Sequence, residues 1–308
     1  MFYKSLNDNL NIDFSVVTIG KFDGNHIGHQ KLFDIAMDVK EPGMSAVILT
    51  FSREIAEVSK SGKEFIFTSL EKAEYDYPKG IDYVVECSFK DIKGLSPEDF
   101  AKEILVGKLG TKKVVVGEDF RFGKERSGDT AVLKKLGEKL GFEVYAVKKV
   151  EYNGREVSST YIKEEIRKGN MQAVADMMGE PFFVTGVVSE GKRLGNKIGF
   201  PTINFNAEAG KILPPDGVYA VKVKFDKEDV VRDGITNIGL RPTVSDSGLR
   251  TIETNIFDFD EDVYGKSARV DFYKYIRPEK KFDSIEDLKA EIERNKKTVR
   301  EYFKLCTE

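Results

Sequence analysis

Two rhythms divide this chain. From residue 15 to about 150, short apolar, β-branched runs alternate with stretches whose apolar positions recur at helical spacing. SVVTIG (15–20), SAVILTF (45–51), IDYVVECSF (81–89), KKVVVG (112–117) and EVYAVKKV (143–150) read as strands. Several are apolar on both faces, as buried parallel strands are. Leu32, Ile35, Ala36 and Val39 fall at i, i+3, i+4 and i+7. SPEDFAKEIL (96–105) opens with a Ser cap and has Pro at the first helical position. This alternation predicts an α/β, Rossmann-like domain: a doubly wound parallel sheet with ligands at the carboxyl ends of its strands.

Beyond about residue 180 the period shortens to 2. VTGVVSEG, GVYAVKVKF, TIETNIFDF and ARVDFYKYI read as strands between turn-rich loops, and Tyr219, Val221, Val223 and Phe225 share one face. A small antiparallel β-barrel or sandwich is expected. It closes with an amphipathic helix whose Ile285, Leu288 and Ile292 stripe packs on the barrel. The boundary is placed near Gly179–Pro181, giving domains 1–180 and 181–308.

Composition narrows the classes. A length of 308 residues suits two domains, and 40% hydrophobic with 33% charged residues suits two soluble cores. A net charge of −3 argues against a nucleic-acid scaffold. Cys87 and Cys306 lie far apart and read as reduced thiols rather than a disulfide or metal site. No apolar run approaches the ~20 residues of a membrane span, and MFYKSLNDNLNID is too polar for a signal peptide. A cytoplasmic protein is expected, with no membrane or nucleic-acid partner and oligomerisation left open.

Both histidines of the chain, His26 and His29, stand in GKFDGNHIGHQ (20–30). The first strand ends at Gly20 and the chain turns through Phe22, Asp23 and Gly24 into a helix that starts between Asn25 and Gly28. Free N–H groups and the macrodipole at that start favour an anion. Gly24 and Gly28 let backbone come close to a phosphate. Histidines at i and i+3 point the same way, so both can address one phosphate in a phosphoryl or nucleotidyl transfer. A surface accident or a helix cap is the plainer alternative. A metal site lacks a third ligand.

The stretch resembles the HxGH signature of the nucleotidyltransferase superfamily, and the fuller string resembles bacterial bifunctional riboflavin kinase/FMN adenylyltransferases (FAD synthetases). HIGH also occurs in class I aminoacyl-tRNA synthetases, but no KMSKS-like loop or tRNA-binding appendage is found. VVGEDFRFGKERSGD (115–129) is similar to that family's strand-end loop; the resemblance implies that Gly117, Asp119, Phe120 and Gly123 line the flavin and nucleotide side of the cleft. VSSTYIK (157–163) resembles the ISSTxxR motif, which implies Ser159 and Thr160 on ATP phosphates, with Lys163 where the family has Arg. Gly20, Phe22, Asp23, Gly24 and Gly28 would belong to the same ATP/FMN site. Many relatives carry Pro-His-Pro after Thr-Phe, whereas this chain has Ser52, Arg53 and Glu54.

The second half carries its own signature. GKRLGNKIGFPTINF (191–205) spaces Gly191, Gly195 and Gly199 four apart among Lys192, Arg193 and Lys197, either a polyphosphate-covering loop or an ordinary one. By resemblance to riboflavin kinases, Gly191, Lys192, Gly195, Gly199, Phe200 and Pro201 bind ATP, and Thr202 and Asn204 of the PTIN run support Mg²⁺–ATP. Their hard oxygens suit that ion. In TIETNIFDFD, alternation puts Glu253 and Asn255 on the face opposite Ile252 and Ile256. Glu253 matches the family's catalytic carboxylate, the base for the ribityl 5′-hydroxyl; on residues alone it reads as a solvent-facing strand Glu. Tyr264, Gly265 and Phe282 read as structural or flavin-side positions.

The resemblance implies that the barrel makes FMN from riboflavin and that the first domain makes FAD and pyrophosphate from FMN. ATP, riboflavin and FMN would be the substrates and Mg²⁺ the cofactor. Three alternatives are a kinase with weak or lost adenylyltransferase activity, a truncated synthetase-like adenylating protein, and a flavin- or nucleotide-binding sensor without turnover. Amino-acid-dependent pyrophosphate exchange would mark the second, and flavin binding without conversion the third.

Overall fold

The computed structural model describes residues 1–52, 64–75, 77–189, 199–226, 228–240 and 250–306. The chain divides into two compact units, Met1–Ser159 and Thr160–Glu308.

In the first unit six parallel strands form one sheet: β1 (Phe2–Ser5), β2 (Ser15–Ile19), β3 (Ser45–Phe51), β4 (Tyr83–Cys87), β5 (Thr111–Gly117) and β6 (Glu143–Val147), in the order β1-β4-β3-β2-β5-β6. All five residues of β2 are buried, because both faces are covered. Val17, Ile19, Leu49, Val114 and Val116 meet Phe100, Ile104, Leu105 and Leu133 on one side. Val16, Ile48, Val84 and Val115 meet Leu32, Phe33 and Ala36 of helix α1 (Ile27–Asp38) on the other. The strand order reverses direction at β2/β5, which places the ligand crevice of such a sheet beside the start of α1.

Other elements depart from the pattern. FYKS is too short and polar to read as a strand, yet it pairs in parallel with β4 as the sheet edge. Ser96 caps the next helix as expected, its hydroxyl accepting from the Asp99 N–H, but from Phe100 to Lys108 the helix widens into a π-helix. Asn153 and Gly154, both with positive φ, turn a small hairpin of β7 (Glu151–Tyr152) and β8 (Arg155–Glu156). Helices that the sequence pattern did not announce include α2 (Ser69–Ala73) and α3 (Thr130–Leu140).

The second unit starts with α4 (Ser159–Lys168), whose first residue falls before the dividing point, and α5 (Met171–Met178). Its sheet is antiparallel, in the order β10-β13-β12-β11-β14-β9. The strands are β9 (Phe182–Val187), β10 (Ile203–Asn206), β11 (Gly217–Phe225), β12 (Val231–Leu240), β13 (Arg250–Ile256) and β14 (Ser267–Arg277). A bridge between Ser189 and Asn204 links the two edges and nearly closes the barrel. Tyr219, Val221, Val223 and Phe225 of β11 all point inward. The last helix, α6 (Ile285–Leu305), corrects the expected stripe: Ile285 is exposed, and the buried positions are Asn295, Val299 and Phe303. Packing begins one to two turns later because the cluster formed by Val218, Ala220, Ile235 and Phe257 sits beneath Val299 and Phe303, with Ile292 at its margin.

Candidate active sites

At the end of β2 the chain must turn tightly, and three residues fix how. A Cβ on Gly20 would lie 2.9 Å from the ring of Phe22, and one on Gly24 (φ +88°) would lie 2.9 Å from Ile66. Phe22 is fully buried, against Phe33 at 5.1 Å and edge-on to His29 at 5.1 Å. It floors the loop rather than facing a cleft. Helix α1 then begins with His26 as its N-cap and has no acidic side chain in its first turn. The positive end of its dipole is therefore left for an external anion.

The two imidazoles stack, with ring centroids 3.6 Å apart and planes 19° apart. Gly28 permits this, since a Cβ there would lie 3.1 Å from His26 Nδ1. Neither Nδ1 has a hydrogen-bond partner among the described residues. Burial lowers the His26 pKa to about 4 against the opposing pull of Asp23, and burial, His26 and Lys72 hold His29 well below its usual range. Near neutral pH the pair is uncharged and offers N–H donors rather than cations.

Several predicted residues take positions other than ligand contact. Asp23 is buried and its Oδ1 accepts from the N–H groups of Ile66 and Phe67, at 2.9 and 3.1 Å, so this carboxylate clamps a neighbouring segment. Ser159 donates to the Asp23 carbonyl at 2.9 Å, which brings its motif to the GKFDG loop. Asp119 is exposed and paired with Lys149 at 2.9 Å. Phe120 stacks on buried Phe122 at 5.5 Å, forming an aromatic shelf after Gly117. Gly123 is required where it stands, at φ +72° with a Cβ position 2.8 Å from Pro97. Thr160 is exposed and Lys163 half-buried on α4, in the second unit. Arg53 and Glu54 lie outside the described residues.

Sequence reasoning passed over Lys72. This residue is 1% exposed and its Nζ donates to Thr50 Oγ1 at 2.5 Å and the Lys21 carbonyl at 3.0 Å. The one local signal was Thr68-x-x-Glu71, which forms a complete capping box at the start of α2.

In the barrel, β13 lies between β10 and β12, so Glu253 is flanked by Asn204 and Asn237. Its alternation separates two cavities. One, of about 280 Å³, is lined by Pro201, Thr202, Thr254, Ile256, Asp260 and Tyr264 among others. The second, of about 270 Å³, takes Glu253 and Asn255 from the opposite face, with Phe200, Thr202, Arg277 and Phe282. Leu288, Ile292 and Asn295 of α6 line this second cavity too. Thr202 belongs to both. Glu253 is exposed, whereas Asn255 is buried and donates to the Pro201 carbonyl at 2.7 Å, holding the PTIN run against β13. Asn204 Nδ2 approaches Thr202 Oγ1 at 3.4 Å. The Thr202 hydroxyl and the Asn204 carboxamide oxygen are hard donors of the kind that Mg²⁺ takes alongside ligand phosphates. No cluster of three or more His, Cys, Asp or Glu able to hold a metal occurs among the described residues. Gly199 has φ +85° and Phe200 is buried; Gly191, Lys192 and Gly195 lie outside the described residues.

Each half of the chain matches a known family. Residues 10–161 match the FAD synthetase family model and residues 178–303 the riboflavin kinase model. The bifunctional riboflavin kinase/FMN adenylyltransferase of Bacillus subtilis (strain 168) is 33% identical over 297 residues, covering 94% of this chain and 92% of its own. That of Escherichia coli (strain K12) is 35% identical over 295 residues, covering 94% and 93%. A solved structure described as a macrolide-efflux protein from Streptococcus pneumoniae superposes with a TM-score of 0.85 at 27% identity, covering 97% of this chain and 99% of that one. Among the described residues no helix is long and apolar enough to cross a membrane.

Proposed function

The chain belongs to the bifunctional riboflavin kinase/FMN adenylyltransferase family, and from that premise we propose how its residues divide the work. The protein carries a domain for each reaction of FAD synthesis: riboflavin plus ATP gives FMN, and FMN plus ATP gives FAD and pyrophosphate.

For the second reaction the supporting observation is the stacked, neutral histidine pair at the start of α1. An FMN phosphate oxygen attacks the α-phosphorus of ATP, the bond to the β-phosphate oxygen breaks, and pyrophosphate leaves. The attacking phosphate is already ionised, so no base is needed. His26, His29 and the helix N–H groups donate to the α-phosphate oxygens as their charge grows. Gly20, Gly24 and Gly28 keep the backbone close, and Phe120 with Phe122 gives the flavin side an aromatic wall.

For the first reaction, riboflavin occupies the cavity lined by Glu253, Phe282 and Ile292, and ATP the one lined by Pro201 and Tyr264. Glu253 takes the proton of the 5′-hydroxyl as its oxygen bonds to the γ-phosphorus, and ADP departs. Thr202 and Asn204 hold Mg²⁺, which when bound neutralises phosphate charge. Two unpaired cysteines support a cytoplasmic setting.

The test is direct. Purified protein incubated with riboflavin, Mg²⁺ and ATP should yield FMN and then FAD on chromatography. Riboflavin bound but unchanged would return the sensor reading, and amino-acid-dependent pyrophosphate exchange the synthetase-like one.

A further inference from the structure

Lys72 is the most deeply buried charged group outside the residues assigned above, and its partners are specific. Among the described residues its ammonium reaches the Lys21 carbonyl at 3.0 Å, Thr50 Oγ1 at 2.5 Å and the Phe51 carbonyl at 3.4 Å. Lys21 belongs to the GKFDG loop, and Thr50 and Phe51 end β3, the neighbour of β2 in the sheet. Thr50 Oγ1 also donates to the Lys21 carbonyl at 3.3 Å, closing a small network. The opposite link is made by Asp23, which accepts from Ile66 and Phe67 just before α2. The 20–24 loop and the 66–72 segment thus grip each other from both ends.

Burying an ammonium is expensive, and an apolar side chain of similar length would fill the space at lower cost. The charge is retained beside the cleft assigned above to the α-phosphate of ATP. Resting on the assignment of His26 and His29 to the α-phosphate, we propose that Lys72 is a positioning residue for adenylyl transfer, holding the GKFDG loop to the end of β3 and placing a fixed positive charge behind His29. Its effect on His29 is to oppose protonation, in the same direction as burial and as His26. Among the described residues, the charged and titratable groups that act on the pair are Lys72 from α2, Asp23 from the loop and the two imidazoles themselves.

The experiment compares Lys72→Met, Lys72→Arg, Thr50→Val and His29→Ala in the full-length chain, with urea unfolding of the N-terminal unit as the control for folding and riboflavin phosphorylation as the control for protein concentration. FMN-to-FAD turnover is followed from about pH 3.5 to about pH 8, so that the acid end reaches the depressed histidine titration. Lys72→Met should lower kcat by ~10²-fold. It should also move the acid limb of the profile toward neutrality, since a positive neighbour has gone. Lys72→Arg should keep the acid limb where it is. A uniform loss in Lys72→Met with an unmoved limb would reduce Lys72 to packing and overturn the proposal. Should Lys72→Met not fold, Thr50→Val decides: it removes one partner and keeps the charge, so kcat should drop about tenfold with the limb in place, and an unchanged kcat overturns the proposal. Full FAD synthesis by His29→Ala would instead sink the histidine assignment itself, whatever the Lys72 variants do.

Discussion

The two proposed sites of this chain differ in solvation, and the difference follows the acceptor that each would activate. His26 and His29 are buried and uncharged at the end of a parallel sheet. Glu253 is exposed on a strand between two open cavities. An acceptor that arrives as a phosphate anion needs no base, so its site can be dry and built from N–H donors that gain strength there. An acceptor that arrives as a hydroxyl must lose a proton, so its site needs a carboxylate placed to take it. Each half can therefore be disabled by a change that should leave the other untouched.

The largest effect should come from Glu253→Gln. Gln keeps the volume but cannot take a proton, so riboflavin phosphorylation should fall by ~10²–10⁴-fold, measured as initial rates of FMN formation. FMN supplied from outside should become FAD at the normal rate. Wild-type FMN formation would return Glu253 to a solvent-facing strand residue.

Next comes the histidine pair. His26→Ala or His29→Ala should each lower FAD formation by ~10²-fold or more, with FMN formation hardly changed. If both activities fell together, the pair would be structural.

The smallest effect concerns stability. Because the folded His26 pKa is depressed to about 4 while the unfolded value is near 6.5, the unfolded chain binds a proton that the folded one refuses. Stability is complete above about pH 6.5 and is lost as pH falls toward about 4, by on the order of 3 kcal/mol for His26. Urea unfolding of the N-terminal unit at a series of pH values should show this loss in wild type and much less of it in His26→Gln. An equal acid sensitivity in both would place its cause elsewhere.

What the sequence disclosed of these sites was whatever is local. The histidine spacing, the glycine between the rings and the strand before them sit within fifteen residues, so their pattern is legible without the fold. The alternation of Glu253 and Asn255 against Ile252 and Ile256 needed only strand period. Lys72 was hidden because its partners at 21, 50 and 51 are distant in sequence and its own surroundings read as the polar face of a short helix. Strands β10 and β12 were passed over for a different reason: VRDGITNIGL mixes charges and glycines, and only pairing on both sides with β11 and β13 makes it a strand. Asn295 replaced Ile285 on the packing face of α6 because burial there follows the shape of the barrel rather than hydropathy.

The central claim, two independent chemistries in one chain, is tested most directly by complementation. Glu253→Gln and His29→Ala, each purified, are given riboflavin, Mg²⁺ and ATP separately and then mixed, and the flavins are resolved by chromatography. Alone, Glu253→Gln should leave riboflavin unchanged and His29→Ala should stop at FMN. Mixed, they should make FAD, because FMN released by one protein serves the intact histidine site of the other. A mixture that still yields no FAD, while Glu253→Gln also fails on added FMN, would contradict the division of labour between Glu253 and the histidine pair.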